Sequence, residues 1–341
     1  MRVLVVAPGR GSYGPRELGT LGKLAAYEHS EPVLAAVVSA VDAAREELEL
    51  GSIRALDDAK SFTPEHAAAE NASALIFACS VADFRLFPEN VEICGILGNS
   101  LGFYTALALS GALSLEDGAK LVVTMARLQT RFARGAQVLY PCVDEEWRPV
   151  PERQRAIARV IESGLAFPSI HLGGFAVLAC ADPATVPLPP LRQGGRDYPF
   201  VLEGHHGYHS PLVSEVARAA ASELSSLGFA APRLHLVDGR GAIFTPWSAA
   251  PSEIAAYALG YQVTEPFDFT ASLRTALREL APDALVLLGP GESIGGAIGQ
   301  VIVESRFAGI DSKERFGERQ RSEKPILYAL GRPDQRASFL G

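Results

Sequence analysis

The sequence predicts an α/β fold, and three observations carry that prediction. Strand-like and helix-like patterns alternate along most of the chain. The opening Val3-Leu4-Val5-Val6-Ala7 is a continuous apolar run, the pattern of a parallel strand buried on both faces, and it ends in a glycine-rich loop, Pro8-Gly9-Arg10-Gly11-Ser12. A second run, Glu92-Ile93-Cys94-Gly95-Ile96-Leu97, leads directly into Gly98-Asn99-Ser100-Leu101-Gly102 and then into a helical pattern at 103–109.

The elements follow in order. Helical patterns lie at 16–28, 32–49 and 64–87, before the strand that precedes Ser100. A helix is expected at 115–134, where Asp117, Lys120 and Arg127 alternate with Leu121, Val122, Met125 and Leu128. The character changes over 135–204: a strand at 137–141, a helix at 152–163, a strand at 175–180, then a Pro- and Gly-rich passage at 183–195 with little helical potential. This reads as a small inserted subdomain with one irregular arm. Alternation resumes with a helix at 213–227 and strands at 234–237 and 284–288, which run into the glycine turns Asp238-Gly239 and Gly289-Pro290-Gly291. Residues 1–134 and 205–305 are therefore expected to form a large subdomain and 135–204 a small one. The charged stretch 306–341 is expected to be a loose C-terminal extension.

Bulk composition narrows the function. The chain has 341 residues, 48% of them hydrophobic, with a net charge of −8, which is globular and long enough for a sizeable core. The acidic balance advertises no nucleic-acid surface; Arg127, Arg131 and Arg134 read first as a solvated helix face, with a local basic patch for an acidic carrier as the alternative. Cys79, Cys94, Cys142 and Cys180 are far apart and form no C-x-x-C pair, as suits reduced thiols in a cytoplasmic protein. The first eight residues leave no room for a secretory leader, and no apolar run approaches the ~18–20 residues of a membrane span, so no membrane contact is expected.

Gly98-Asn99-Ser100-Leu101-Gly102 is a G-x-S-x-G motif in a strand–turn–helix setting. Such a turn lifts the serine clear of the sheet, and the following helix offers free N–H groups to a developing oxyanion. The serine needs a base. His209 is the best candidate, in His205-His206-Gly207-Tyr208-His209-Ser210-Pro211-Leu212, at a loop-to-helix boundary. Three histidines within five residues also raise a metal site, but no Cys, Asp or Glu cluster accompanies them, so neither metal nor cofactor is expected. His29, His66 and His235 have structural readings, and His171 is a further residue that can face the cleft.

With these motifs the chain resembles the malonyl-CoA:acyl carrier protein transacylase family, which includes the acyltransferase domains of polyketide synthases. The resemblance covers about residues 3–305. It rests on Pro8-Gly9-Arg10-Gly11-Ser12, on Gly98-Asn99-Ser100-Leu101-Gly102-Phe103-Tyr104, on His206-Gly207-Tyr208-His209-Ser210-Pro211-Leu212-Val213 and on Gly289-Pro290-Gly291, in family order. It implies an α/β-hydrolase-like large subdomain with a parallel sheet and a small ferredoxin-like subdomain, here partly truncated by the Pro-rich arm. It also implies that Ser100 is acylated, that His209 is its base, and that the N–H groups of Arg10 and Leu101 form the oxyanion hole. The backbone carbonyl of Gln262, in Gln262-Val263-Thr264-Glu265-Pro266, would orient the histidine, making a dyad rather than a full triad.

The departures bear on substrate. Met125 stands where the family places an arginine that grips the free carboxylate of malonyl groups, and methionine cannot replace that bidentate pair. Arg127 lies roughly 200° further round the helix and should face elsewhere. Asn99, Phe103, Arg10 and Ser73 replace a histidine, a glutamate and two glutamines. Asn99, Ser73, Met125 and Tyr208 are the expected substrate pocket. The resemblance thus implies a monomeric acyltransferase that moves an uncarboxylated acyl group from acyl-CoA or an acyl thioester to an acyl carrier protein. An acyl hydrolase acting on acyl carrier protein thioesters, as in polyketide pathways, is the alternative, since only the attacking group differs. A non-catalytic carrier-binding module and a lipase using Ser100 with Asp238 are the remaining readings.

Overall fold

The computed structural model describes residues 1–341. Its strands are β1 (Arg2–Ala7), β2 (Glu92–Gly98), β3 (Ala136–Pro141), β4 (Phe167–Leu172), β5 (Phe175–Cys180), β6 (Leu191–Gln193), β7 (Arg196–Tyr198), β8 (Phe200–Val201), β9 (Leu236–Val237), β10 (Ile243–Phe244), β11 (Phe267–Asp268), β12 (Ala284–Leu287) and β13 (Leu327–Ala329). The main sheet has the order β10-β9-β2-β1-β12-β13, and every neighbouring pair is parallel except β9 with β10. Val3 to Ala7 are fully buried at its centre, as the unbroken apolar run requires. Helix Leu101–Leu109 packs on β1 and β2, and helices Ala69–Arg85 and Leu115–Phe132 pack against it and each other.

The second sheet has the order β11-β4-β5-β3-β8. Its four strands β3, β4, β5 and β8 are antiparallel neighbours, and helix Pro151–Glu162 joins β3 to β4. This is the split β-α-β arrangement of a ferredoxin-like layer. The second helix is absent: between β5 and β8 the chain makes the short turn Pro183–Thr185 and the β6–β7 hairpin. Val138, Tyr140, Ile157, Val160 and Leu178 belong to a core of its own. Strand β4 has no counterpart in the sequence-based expectation. Pro168 interrupts its pattern at a register shift against β5, where a proline is tolerated.

Other expectations are corrected. The helix at 16–28 shrinks to Thr20–Leu24, because Gly19 sits at φ +79° and the Asp57 carboxylate accepts the N–H groups of Thr20 and Leu21 at 3.1 and 2.8 Å. The pattern at 64–87 is two helices, Pro64–Ala67 and Ala69–Arg85, broken at Ala68 (ψ +142°). The helix at 213–227 covers Ser214–Glu223.

The C-terminal stretch is not loose. Strand β13 pairs with β12, and helices Lys313–Gln320 and Pro333–Leu340 flank it. Arg336 is buried and reaches Asp83 Oδ2 at 3.1 Å, and that same oxygen accepts the Gly289 N–H at 2.7 Å. The segment therefore ties down the Gly289-Pro290-Gly291 loop. Burial pushes the Asp83 carboxyl up to about 6, against the pull of Arg336 and the Gly289 N–H. Removing one partner of a buried pair strands the other. Arg336→Met is expected to lower unfolding stability by about 3–5 kcal/mol, read from urea midpoints, and the double variant with Asp83→Asn to recover part of it.

Candidate active site

Ser100 sits between β2 and helix Leu101–Leu109 with φ +54° and ψ −111°, a conformation that a non-glycine residue holds only when its surroundings enforce it. The two glycines of the motif provide that enforcement. A Cβ on Gly98 would fall 2.0 Å from the Gly102 carbonyl carbon, and one on Gly102 would fall 2.1 Å from the Ala7 oxygen. Strand, turn and helix thus close to backbone contact, and the serine side chain is turned outward.

His209 meets it from the loop that precedes the short turn Pro211–Val213. Its backbone is also left-handed, φ +59°, and its N–H donates to the Val263 oxygen at 2.9 Å. The ring Nδ1 lies 2.6 Å from the Gln262 carbonyl, which can only accept, so Nδ1 carries the proton. Nε2 is then a lone pair, 2.8 Å from Ser100 Oγ. Burial lowers the imidazole pKa to about 4, with the Gln262 carbonyl opposing that shift. The ring is a neutral base at pH 7. Because its folded pKa lies below the unfolded value of about 6.5, it contributes stability above that pH, which is lost as pH falls toward 4. Any single-turnover acylation of Ser100 is expected to stay level between pH 6 and 8, with its acid limb displaced well below 6.5 toward about 4. An inflection at 6.5 in a rapid-quench pH series would contradict this.

A cavity of about 480 Å³ opens beside Ser100. Arg10, Leu101, Asn99, Ser73, Met125 and Tyr208 all line it. Leu101 is the first residue of its helix, and the Pro8–Ser12 loop is packed so closely that a Cβ on Gly9 would lie 2.8 Å from the Asn99 oxygen. The Arg10 guanidinium donates to the Gly204 carbonyl at 2.8 Å. Met125 is 3% exposed, and Val122 and Ala126 of the same helix extend an apolar wall that Leu139, Ile170, Leu172, Val177 and Phe200 complete. The Asn99 Oδ1 is buried without a hydrogen-bond partner. Gln262 stands behind Ser100, its Nε2 donating to the Ser100 backbone carbonyl at 3.4 Å.

Other residues fall elsewhere. Arg127 is exposed and outside the lining, as its position on the helix requires. His171 pairs with Asp268 at 3.2 Å on the opposite side of the small sheet and does not face this cavity. The Asp238 carboxylate is taken up by the N–H groups of Arg240 and Ala242 and by the Arg240 side chain, which leaves the lipase reading without its second member. Phe103 is fully buried against Tyr257. Sequence reasoning missed Gln129, Gln137, Arg196 and Phe200 as lining residues, and gave His205 no role of its own. No motif marks the first four of these positions; the small sheet folding over the cleft brings Gln137 and Phe200 in.

No family model matches the chain. Among curated proteins it is similar to the mycoketide-CoA synthase of Mycobacterium tuberculosis, 33% identical over 170 residues, which is 49% of this chain and 4% of that protein. The matched part spans 4%, 4% and 15% of the length of the first three such relatives. Among solved structures it superposes on the malonyl-CoA:acyl carrier protein transacylase of Xanthomonas oryzae pv. oryzae with a TM-score of 0.73 at 19% identity, covering 99% of this chain and 97% of the other. It superposes on a malonyl-transacylase solved with its type II polyketide synthase acyl carrier protein with a TM-score of 0.72 at 18% identity, covering 99% and 98%. The chain has the fold shared by the malonyl-CoA:acyl carrier protein transacylases and the polyketide synthase acyltransferase domains.

Proposed function

We propose that the chain is an acyltransferase that takes an acyl group lacking a free carboxylate from a CoA or carrier-protein thioester onto Ser100 and passes it to the phosphopantetheine thiol of an acyl carrier protein. One observation carries this reading: Ser100 Oγ lies 2.8 Å from the free Nε2 of a buried, neutral imidazole, at the edge of a mostly apolar cavity. Ser100 Oγ bonds to the thioester carbonyl carbon as His209 Nε2 takes its proton. The Leu101 and Arg10 N–H groups are suited to receive the developing oxyanion. The C–S bond then breaks, and the imidazolium returns the proton to the leaving sulfur. The carrier thiol repeats the sequence in reverse, giving its proton to His209 and leaving Ser100 free. The Gln262 carbonyl favours the transient imidazolium by accepting from Nδ1.

Met125 in the apolar wall supports an uncarboxylated acyl group. Arg127, Arg131 and Arg134 are exposed near the end of the helix that lines the cavity, a basic surface suited to an acidic carrier. The test follows intact mass while the protein is incubated with a panel of acyl-CoAs and then with acyl carrier protein. A Ser100-dependent adduct that moves to the carrier supports transfer. Free acid without carrier acylation assigns thioester hydrolysis, and absence of any adduct or turnover rejects both.

A further inference from the structure

His205 lines the cavity, and its Nδ1, like that of His209, is engaged by an oxygen of the protein. His205 Nδ1 lies 3.2 Å from Gln137 Oε1, Gln137 Nε2 lies 2.7 Å from Ser169 Oγ, and Ser169 Oγ lies 2.9 Å from the Tyr208 carbonyl. The direction of this chain is fixed from its far end. A backbone carbonyl only accepts, so the single Ser169 proton goes to Tyr208. Ser169 must then accept from Gln137, which places the amide NH₂ toward Ser169 and the amide oxygen toward His205. His205 therefore carries its proton on Nδ1, and its Nε2 is a lone pair. That Nε2 makes no hydrogen bond within the protein, and the residue lines the cavity, with Nε2 about 3.9 Å from where a Cβ on Gly11 would stand. Burial and the neighbouring Arg10 charge hold the ring neutral, with its pKa lowered to about 3.

Ser169 and Gln137 are themselves buried and fully engaged, so the tautomer is built into the fold. Elsewhere in the cavity Met125 contributes an apolar side chain to the wall. We infer that His205 Nε2 is a fixed acceptor that selects thioester substrates presenting a hydrogen-bond donor, either a hydroxyl on the acyl chain or an amide N–H of the pantetheine arm. This rests on the acyltransferase reading above. His205 is part-buried and its Nε2 opens to the cavity, so a bound thioester that displaces water from this atom without supplying a donor leaves the acceptor unpaired and is disfavoured.

The experiment compares Ser100 acylation by butanoyl-CoA, 3-hydroxybutanoyl-CoA and butanoyl ethyl thioester, which has no amide. Each is measured in the unaltered protein, in His205→Leu and in His205→Gln, whose amide oxygen can accept in place of Nε2. His205→Leu is expected to lose about tenfold with donor-bearing substrates, and His205→Gln to recover most of it. Loss confined to the hydroxyacyl substrate assigns the acyl hydroxyl; loss shared by both CoA thioesters but not the ethyl thioester assigns the pantetheine amide. Equal loss with all three, or none, overturns the proposal. Nitrogen-15 NMR of the unaltered protein reads the tautomer without any activity, and a proton on Nε2 overturns it as well. A protein inert toward every thioester while showing the Nδ1–H tautomer would instead count against acyl transfer, and the absence of a chemical-shift change at Nε2 on adding 3-hydroxybutanoyl-CoA would then also overturn the acceptor role.

Discussion

Replacing His209 with alanine is expected to slow acylation of Ser100 by roughly 10²–10⁴-fold. A serine hydroxyl is a poor nucleophile until its proton has somewhere to go, and Nε2 at 2.8 Å is the acceptor in place. That role needs the Nδ1–H tautomer, which the Gln262 carbonyl enforces at 2.6 Å. The orienting group belongs to the backbone, so no side-chain substitution removes it, and deleting the ring is the clean perturbation. Ser100→Ala sets the zero, since it leaves no oxygen to acylate. Single-turnover acylation followed by intact mass reads both variants. Added imidazole is expected to restore part of the His209→Ala rate, because the deletion leaves a ring-sized space next to Ser100. Deletion also leaves the buried Gln262 carbonyl without its donor, worth about 1–3 kcal/mol, so urea midpoints separate lost stability from lost chemistry. A His209→Ala protein that acylates within threefold of the unaltered chain would remove proton transfer to His209 from the mechanism.

The elbow was legible in the sequence because its constraints are local. An apolar run that fills a central strand, a serine between two glycines and a following helical pattern all fall within 92–109, and only glycine survives the contacts at positions 98 and 102. The approach of His209 to Gln262 was legible only through the motif resemblance, since a ring bonded to a carbonyl 53 residues away leaves no side-chain signature. The C-terminal segment failed for the opposite reason. Arg336 lies in a charged stretch that reads as surface, and its partner Asp83 is 253 positions distant near the end of a mostly buried helix. Strand β4 was hidden by Pro168, and the small sheet it completes carries Ile170 and Leu172 into the cavity wall. The tautomer of His205 depends on three side chains and a carbonyl drawn from three separate segments, an arrangement only tertiary structure assembles.

Met125→Arg is expected to raise acylation by malonyl-CoA about tenfold or more, and to lower acylation by butanoyl-CoA. Met125 lies on helix Leu115–Phe132 with Val122 and Ala126 on the same cavity-lining face, and Gln129 one turn further along. A malonyl carboxylate entering this wall finds no cation there and would be desolvated without a partner, a cost of several kcal/mol. A guanidinium at position 125 offers a bidentate, charge-assisted pair worth about 1.5–3 kcal/mol, which is roughly ten- to a hundredfold in rate if it is made in the acylation transition state. Without that carboxylate the same guanidinium is a buried, unpaired charge, so the variant should be less stable alone and gain more from malonyl-CoA than from butanoyl-CoA in thermal shift. The competing outcome is specific. Arg10 and Arg196 also line the cavity, Arg10 held by the Gly204 carbonyl and Arg196 over the Phe200 ring. If the unaltered protein is acylated by malonyl-CoA as fast as by butanoyl-CoA, one of these two takes the carboxylate, and Arg10→Ala or Arg196→Ala would abolish the malonyl reaction while sparing the butanoyl one. Rapid malonylation of the unaltered chain would in that way refute the neutral-acyl reading while leaving the Ser100–His209 chemistry untouched.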